Sequence, residues 1–140
     1  MTQHPSRAQV FRRAATAAEF AIVAPIFFLF VLAIIELGRG LMVVHLLTDS
    51  ARVGCRVGVI EGRATSDVNA AVLADLNNKG IQGETATIQV NDNTADASMA
   101  SPGDEITVLV AVPTSSVSWV PGVNFLAGQT ITGKYTLRRE

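Results

Sequence analysis

The sequence predicts an α+β protein, in which a long N-terminal helix and a second helix pack on a small antiparallel sheet of about three strands. Residues 20–35 contain no charge at all, and helical periodicity continues beyond them. From Thr85 onward apolar and polar residues alternate in three separate runs, which is typical of half-buried strands. The strands follow one another without helical crossovers, so we expect an antiparallel sheet.

Composition limits the protein to one small domain plus a membrane segment. The chain has 140 residues, and its apolar fraction of 49% is high for a soluble domain. The excess is concentrated in residues 14–60. The net charge of −1 comes without a basic patch, so we predict no nucleic-acid partner. The single cysteine, Cys55, cannot form an internal disulfide. We interpret it as a small core residue, and an intermolecular disulfide is the alternative.

The first residues set the orientation of the membrane segment. Residues 1–13 carry three arginines and no acids, so they are expected to stay in the cytoplasm. As a helix, residues 20–35 span about 24 Å, which is shorter than the ~30 Å hydrocarbon core of a bilayer. Arg39 lies one turn beyond Glu36 and can pair with it at the outer interface. We assign a cytoplasmic leader to residues 1–14, a transmembrane helix to 15–38 and an extracytoplasmic domain to 39–140, with the helix continuing to about residue 62.

Glu19 is the residue that a simple anchor does not explain. It follows two arginines and a run of small residues, and it stands directly before the apolar run. An acid at the centre of a membrane helix costs roughly 2.5–3.5 kcal/mol, and less near the interface. A cleaved secretory signal requires a small-x-small site after the apolar core, and residues 34–39 provide a poor one. A plain anchor explains the hydrophobicity, with Glu19 reaching back to the cytoplasmic interface, but it does not require the acid.

A family resemblance accounts for these features together. Residues 14–20 resemble the processing site of type IV prepilins and pseudopilins, in which a peptidase cuts before a residue four positions upstream of a glutamate. Residues 12–62 are similar to TadE-like proteins, the minor pseudopilins of the tight-adherence (Flp pilus) secretion system. The matching residues are Ala17-Ala18-Glu19-Phe20-Ala21, Pro25, Glu36-Leu37-Gly38-Arg39 and Ala51-Arg52-Val53-Gly54. Where the family usually has glycine before the cut, this chain has Ala14.

The resemblance implies a pilin-like fold and a non-catalytic role. Prepilin peptidase would cut between Ala14 and Ala15, which lowers the net charge from −1 to −4 by removing three arginines. Glu19, with Phe20, would then serve subunit assembly by accepting a charge-assisted hydrogen bond from the new α-amino group of a neighbour. The expected protein is a single-pass inner-membrane pseudopilin with a periplasmic domain, acting with pilins and other tight-adherence components in adhesive pilus assembly and secretion. The alternative is an unprocessed, membrane-anchored binding or structural module that keeps its leader.

Three glycines mark a close-packing face beyond the membrane. Gly54, Gly58 and Gly62 recur every four residues in an amphipathic helix. Each costs about 1 kcal/mol relative to alanine there, which indicates that another backbone approaches them. The partner is either the protein's own sheet, which we favour, or a neighbouring helix.

The distal domain has strong local patterns but no catalytic motif. A second helix is predicted from an N-cap at Ser66-Asp67 to about Lys79, ended by Gly80. The apolar stripe of this helix comprises Val68, Val72, Leu73 and Leu76. The predicted strand residues are Ala86, Ile88 and Val90, then Ile106, Val108, Val110 and Val112, and finally Ile131, Gly133, Tyr135 and Leu137.

Two loops remain, and neither predicts an active site. Asp92, Asn93 and Asp96 lack the spacing of a calcium loop. The apolar residues around Trp119 either form a patch for a partner or the membrane, or belong to the core. The distal domain has no histidine or cysteine, no Gly-x-Ser-x-Gly motif and no phosphate-binding glycine loop. We therefore predict no enzymatic activity, catalytic residue, cofactor or metal site.

Overall fold

The structure, a computed structural model, describes residues 7–117 and 128–140, with side chains from residue 11 onward. The apolar residues predicted around Trp119 lie outside this range. The elements are α1 (Arg7–Gly58), α2 (Thr65–Asn78), β1 (Thr85–Val90), β2 (Asn93–Thr94), β3 (Glu105–Pro113) and β4 (Thr130–Arg138), with short 3-10 helices at Ala97–Met99 and Thr114–Ser116. The chain divides into two compact units, Met1–Ile35 and Glu36–Glu140. We call the second unit the head.

The first unit is helical from Arg7 to its end. Most of its large apolar side chains, including Phe20, Phe27 and Phe30, are exposed. The described residues contain one helix that is long and apolar enough to cross a membrane, and it is α1. Pro25 lies inside this helix. An uncovered apolar surface of this extent is stable only if lipid or protein covers it.

The head confirms the predicted α+β class. Its sheet is antiparallel and four-stranded in the order β2-β1-β3-β4. The three predicted strands are present as β1, β3 and β4. The additional strand, β2, is a two-residue edge strand paired with the end of β1. In the register, Val108 of β3 lies between Ile88 of β1 and Tyr135 of β4.

One face of the sheet and two helices form the core. The apolar residues at alternate positions of β3 face the core, because successive side chains of a strand point to opposite faces, and Thr107 on the other face is buried as well. In α2 the buried positions recur every four residues, as a single helical stripe requires. The core includes Val43, Leu47, Ala51 and Cys55 of α1, Val68, Val72 and Leu76 of α2, Ile88 and Val90 of β1, and Ile106, Val108, Val110 and Val112 of β3. Leu73, which we predicted in the stripe, is 42% exposed.

The helix ends differ from the prediction by a few residues. α1 ends at Gly58 and not near residue 62. α2 begins at Thr65 with Ala64 as its N-cap, so Ser66 is not the cap. Asp67 still closes the first turn, because its side chain accepts a hydrogen bond from the Ala64 backbone N–H at 3.3 Å. Gly80 follows the helix with a φ of +72°, a left-handed conformation that glycine adopts without steric cost.

Candidate functional site

The predicted processing segment lies in the exposed first unit. Ala14 and Ala15 are part of α1, and every described side chain from residue 11 to residue 22 is exposed. The hydroxyl of Thr16 donates to the Arg12 carbonyl at 3.0 Å, a bond within the same helical turn. The scissile bond proposed from the sequence is therefore not covered by any described part of the chain.

Glu19 has no partner within the described part of the chain. Its side chain is exposed, and it makes neither a hydrogen bond nor an ion pair there. Arginines at i−7 and i−6 are too far along the helix, since pairing requires a spacing of three or four. The carboxylate is thus left for water, lipid headgroups or another molecule to solvate.

Gly54 and Gly58 lie where α1 contacts the rest of the head. A Cβ on Gly54 would stand 2.6 Å from Cγ2 of Val72, and one on Gly58 would stand 3.2 Å from Cγ2 of Ile106. The neighbours are thus α2 and β3 of the same chain, so this face is already covered and is not open to another subunit. Gly62 is not part of the face. It follows the end of the helix with a φ of +77°, and nothing lies within 4 Å of its Cβ position.

A glycine that the repeat does not include, Gly133 of β4, lies directly against the backbone of α1. A Cβ on Gly133 of β4 would stand 2.5 Å from both the carbonyl carbon of Leu47 and the amide nitrogen of Thr48. These are backbone atoms of α1 and cannot rotate away. The missing side chain of Gly133 therefore sets how closely the long helix lies on the sheet.

Cys55 is a core residue. It is fully buried, and Sγ donates to the carbonyls of Tyr135 at 3.2 Å and Ile106 at 3.5 Å. Burial raises the pKa of the Cys55 thiol to about 11. The thiol is therefore neutral at physiological pH and inaccessible, and an intermolecular disulfide through it would require the head to open.

Glu36 and Arg39 both turn toward the head. Glu36 is only 6% exposed, and its Oε2 has no hydrogen-bond partner among the described residues. Arg39 is half-buried, and its Nε donates to the Val117 carbonyl at 3.3 Å. Two charged side chains that the sequence places at an outer membrane interface are thus withdrawn from the surface.

Arg139 is a structural residue that the sequence analysis missed. It is buried, and its guanidinium donates to the carbonyls of Gly58 at 2.7 Å and Ala97 at 3.1 Å, as well as to that of Ala100. The positive charge stands at the C-terminus of α1, where the helix dipole favours a cation. One side chain therefore joins the end of α1 to the segment before β3.

A second polar cluster joins the two helices. Ser50 of α1 donates to the Asp75 carboxylate of α2 at 2.5 Å, and Lys79 donates to the same carboxylate at 2.5 Å. Burial acts to raise the pKa of Asp75, but these hydrogen bonds outweigh it and hold the pKa below its usual value. Across residues 7–117 and 128–140, no three histidine, cysteine or acidic side chains are grouped to hold a metal ion.

Comparison with known proteins supports the family suggested by the sequence. Residues 14–56 match the sequence model of the TadE-like protein family. The match begins at the predicted processing site and lies wholly within α1. Searches with this chain found no match among curated proteins or among solved structures. Residues 14–56 of the long helix are thus similar to the TadE-like family.

Proposed function

We propose that this chain is a membrane-anchored minor pseudopilin that acts in assembling a Flp/tight-adherence pilus. The TadE-like match itself suggests a pilus-associated membrane protein of this system. The observation that supports the finer role is the carboxylate of Glu19, which is exposed at the mouth of the apolar helix and has no partner among the described residues. The proposed topology is a single pass through the inner membrane, with the N-terminus in the cytoplasm and the head in the periplasm.

In the proposed mechanism, processing creates the partner that Glu19 lacks. Cleavage between Ala14 and Ala15 by prepilin peptidase removes the arginine-rich leader and leaves an α-amino group four residues before the acid. The amine of one subunit then donates to Glu19 of the next. A hydrogen bond to a charged group contributes about 1.5–3 kcal/mol, and it is strongest where water is excluded. The bond would thus favour assembled helices over separate ones.

The proposed assembly surface is the first unit and not the glycine face. Gly54 and Gly58 are covered by α2 and β3 of the same chain. The apolar side chains of residues 20–35 are mostly exposed, and they are available to pilins and other components of the machinery. The role is one of packing and not of catalysis, and TadE-like proteins are not known as enzymes.

The first test is the mass of the N-terminal peptide from membranes of cells with and without prepilin peptidase. We expect a chain beginning at Ala15 only when the peptidase is present. A chain that keeps Arg12 and Arg13 in both cells would refute processing. It would favour the alternative, an unprocessed extracytoplasmic module, for which the alanine at position 14 in place of the family's glycine is the supporting observation.

The second test separates the role of Glu19 from membrane insertion. We expect Glu19→Ala to insert at the wild-type level but to be lost from sheared pilus fractions and to lower piliation. Glu61→Ala, which changes an exposed acid of the head, is the matched control and should leave both unchanged. Normal piliation with Glu19→Ala would remove the assembly role of this residue.

A further inference from the structure

The part of α1 that belongs to the head exposes two chemically different surfaces. Between residues 36 and 42 the most exposed side chains are all apolar, with Leu37 and Leu41 each 58% and Met42 52% exposed. From residue 45 onward the exposed side chains of the helix are all polar. They are His45, Asp49, Arg52 and Arg56. The exposed surface thus changes from apolar to polar between Met42 and His45.

The two charged residues within the apolar stretch do not interrupt it. Glu36 is withdrawn into the head, and Arg39 donates to the Val117 carbonyl. Glu36 is the first charged residue after the apolar run. If the membrane segment ended there, we would expect Glu36 to be exposed to headgroups and water, because ionised side chains favour the aqueous phase. Glu36 is buried, whereas Leu37 and Leu41 are exposed.

The length of the helix agrees with this pattern. Residues 20–35 reach about 24 Å along a helix, so they fall short of a ~30 Å hydrocarbon core. Extension to Met42 gives about 34 Å. At the average tilt of ~20° that length spans about 32 Å, which is close to the thickness of the core. Leu37, Leu41 and Met42 lie just beyond the apolar run and are exposed, so they add the length that the run lacks.

We propose that the bilayer covers α1 as far as Met42, so that the end of the head around Glu36, Arg39 and Val117 rests in the outer leaflet. The partner of this surface is a phospholipid bilayer, and the proposal relies on the membrane anchoring proposed above. The head is thereby held against the membrane surface by Leu37, Leu41 and Met42. Glu36 and Arg39 enter the membrane only because the head shields them.

Spin labels on single introduced cysteines test this boundary in the full chain. Cys55 stays in place, since it is buried and its raised pKa keeps it unreactive, and the unmodified chain gives the background labelling. The labelled positions are Leu41 and His45, which lie one turn apart on either side of the proposed boundary. Phe27 and Arg52 serve as the lipid and water references, because both are exposed.

The chain is reconstituted in vesicles of phosphatidylethanolamine and phosphatidylglycerol at a ratio of three to one. Collisions of each label are measured with oxygen, which concentrates in lipid, and with a nickel chelate, which stays in water. We expect the oxygen-to-nickel ratio at Leu41→Cys to equal that at Phe27→Cys and to exceed that at Arg52→Cys several-fold. His45→Cys should lie close to the water reference.

The outcomes distinguish the extended membrane boundary at Met42 from the membrane anchor on which it relies. A label at Leu41 that behaves as the one at Arg52, while Phe27 remains in lipid, would overturn the extended boundary and leave the anchor intact. A water-exposed label at Phe27 would overturn the membrane anchor itself. If Leu41→Cys fails to fold, which background labelling of Cys55 would reveal, Leu37→Cys provides the same test, since it is equally exposed.

Discussion

Replacing Gly133 by alanine tests whether the contact between β4 and α1 sets the geometry of the head. The added methyl carbon would stand 2.5 Å from two backbone atoms of α1 and 2.6 Å from the Cβ of Leu47. Optimal carbon–carbon contacts are about 3.5–4.0 Å. The helix and the strand must therefore separate by about 1 Å, because no flexible side-chain end is available to give way.

The expected cost follows from that displacement. Overpacking a core by one methyl group costs typically 1–3 kcal/mol, and alanine recovers roughly 0.5–1 kcal/mol of this through its lower backbone entropy in the unfolded chain. Because the obstacle is backbone, we expect a net destabilisation of about 2 kcal/mol. Since 1.4 kcal/mol corresponds to a factor of ten, the population of opened heads rises about 30-fold.

Cys55 provides the assay. It is the one cysteine of the chain and is fully buried, so its labelling rate at pH 7.5 in detergent micelles reports transient opening of the head. We expect about 30-fold faster labelling in Gly133→Ala. Gly80→Ala, a glycine with open space around it, is the control for backbone strain alone, because its φ is +72°. Labelling of Gly133→Ala at the wild-type rate would show that β4 and α1 are not held at this distance.

Two further predictions use the same head. Arg139→Gln removes the guanidinium donors to the carbonyls of Gly58 and Ala97, so we expect the free energy of unfolding to fall by about 2 kcal/mol and Cys55 to be labelled faster. Arg138→Gln changes the exposed neighbour and should have little effect. Equal effects of the two substitutions would contradict the structural role of Arg139. Hydrogen bonds from Asn91 and the Ser101 backbone hold the pKa of Asp104 below its usual value. The Asp104 carboxylate therefore stabilises the folded head fully at pH values above its unfolded-state pKa of ~3.9. This stabilisation is lost as the pH falls through the lower pKa of Asp104 in the folded state. The melting temperature, followed by circular dichroism, should fall below pH ~4 in the wild type and less steeply in Asp104→Asn; an unchanged slope would contradict the prediction.

The sequence predicted the elements of the head because their signals are local. Alternation over a few residues specifies β1, β3 and β4 and also which of their side chains face the core. The recurrence of apolar residues in α2 specifies its buried stripe in the same way. Strand β2 was missed because two residues are too short to show a period. The end of α1 was misplaced because Gly62 fits a period of four as well as Gly54 and Gly58 do, although it lies in the turn that follows the end of the helix at Gly58.

Contacts between distant residues were not predictable from such patterns. Nothing in the sequence near Gly133 indicates that its Cβ position faces the backbone at Leu47, more than 80 residues earlier. Arg138 and Arg139 are identical in type and adjacent, yet the end of α1 accepts hydrogen bonds from only the second. The burial of Glu36 likewise depends on the head that folds against it. The sequence placed it at the interface because a charge in an apolar run ordinarily marks one.

The position of the outer boundary changes what Glu19 experiences in a single subunit. If the bilayer ended at Ile35, a ~30 Å core would reach back beyond Phe20 and place the carboxylate in hydrocarbon. If it ends at Met42, the helix from Phe20 onward is about 34 Å long and fills the core without Glu19. The acid then lies at the cytoplasmic interface, where headgroups and water solvate it, so its replacement does not affect insertion. In the proposed assembly, its pairing with the amine of a neighbour would become important when a helix leaves the membrane for the pilus and loses that solvation.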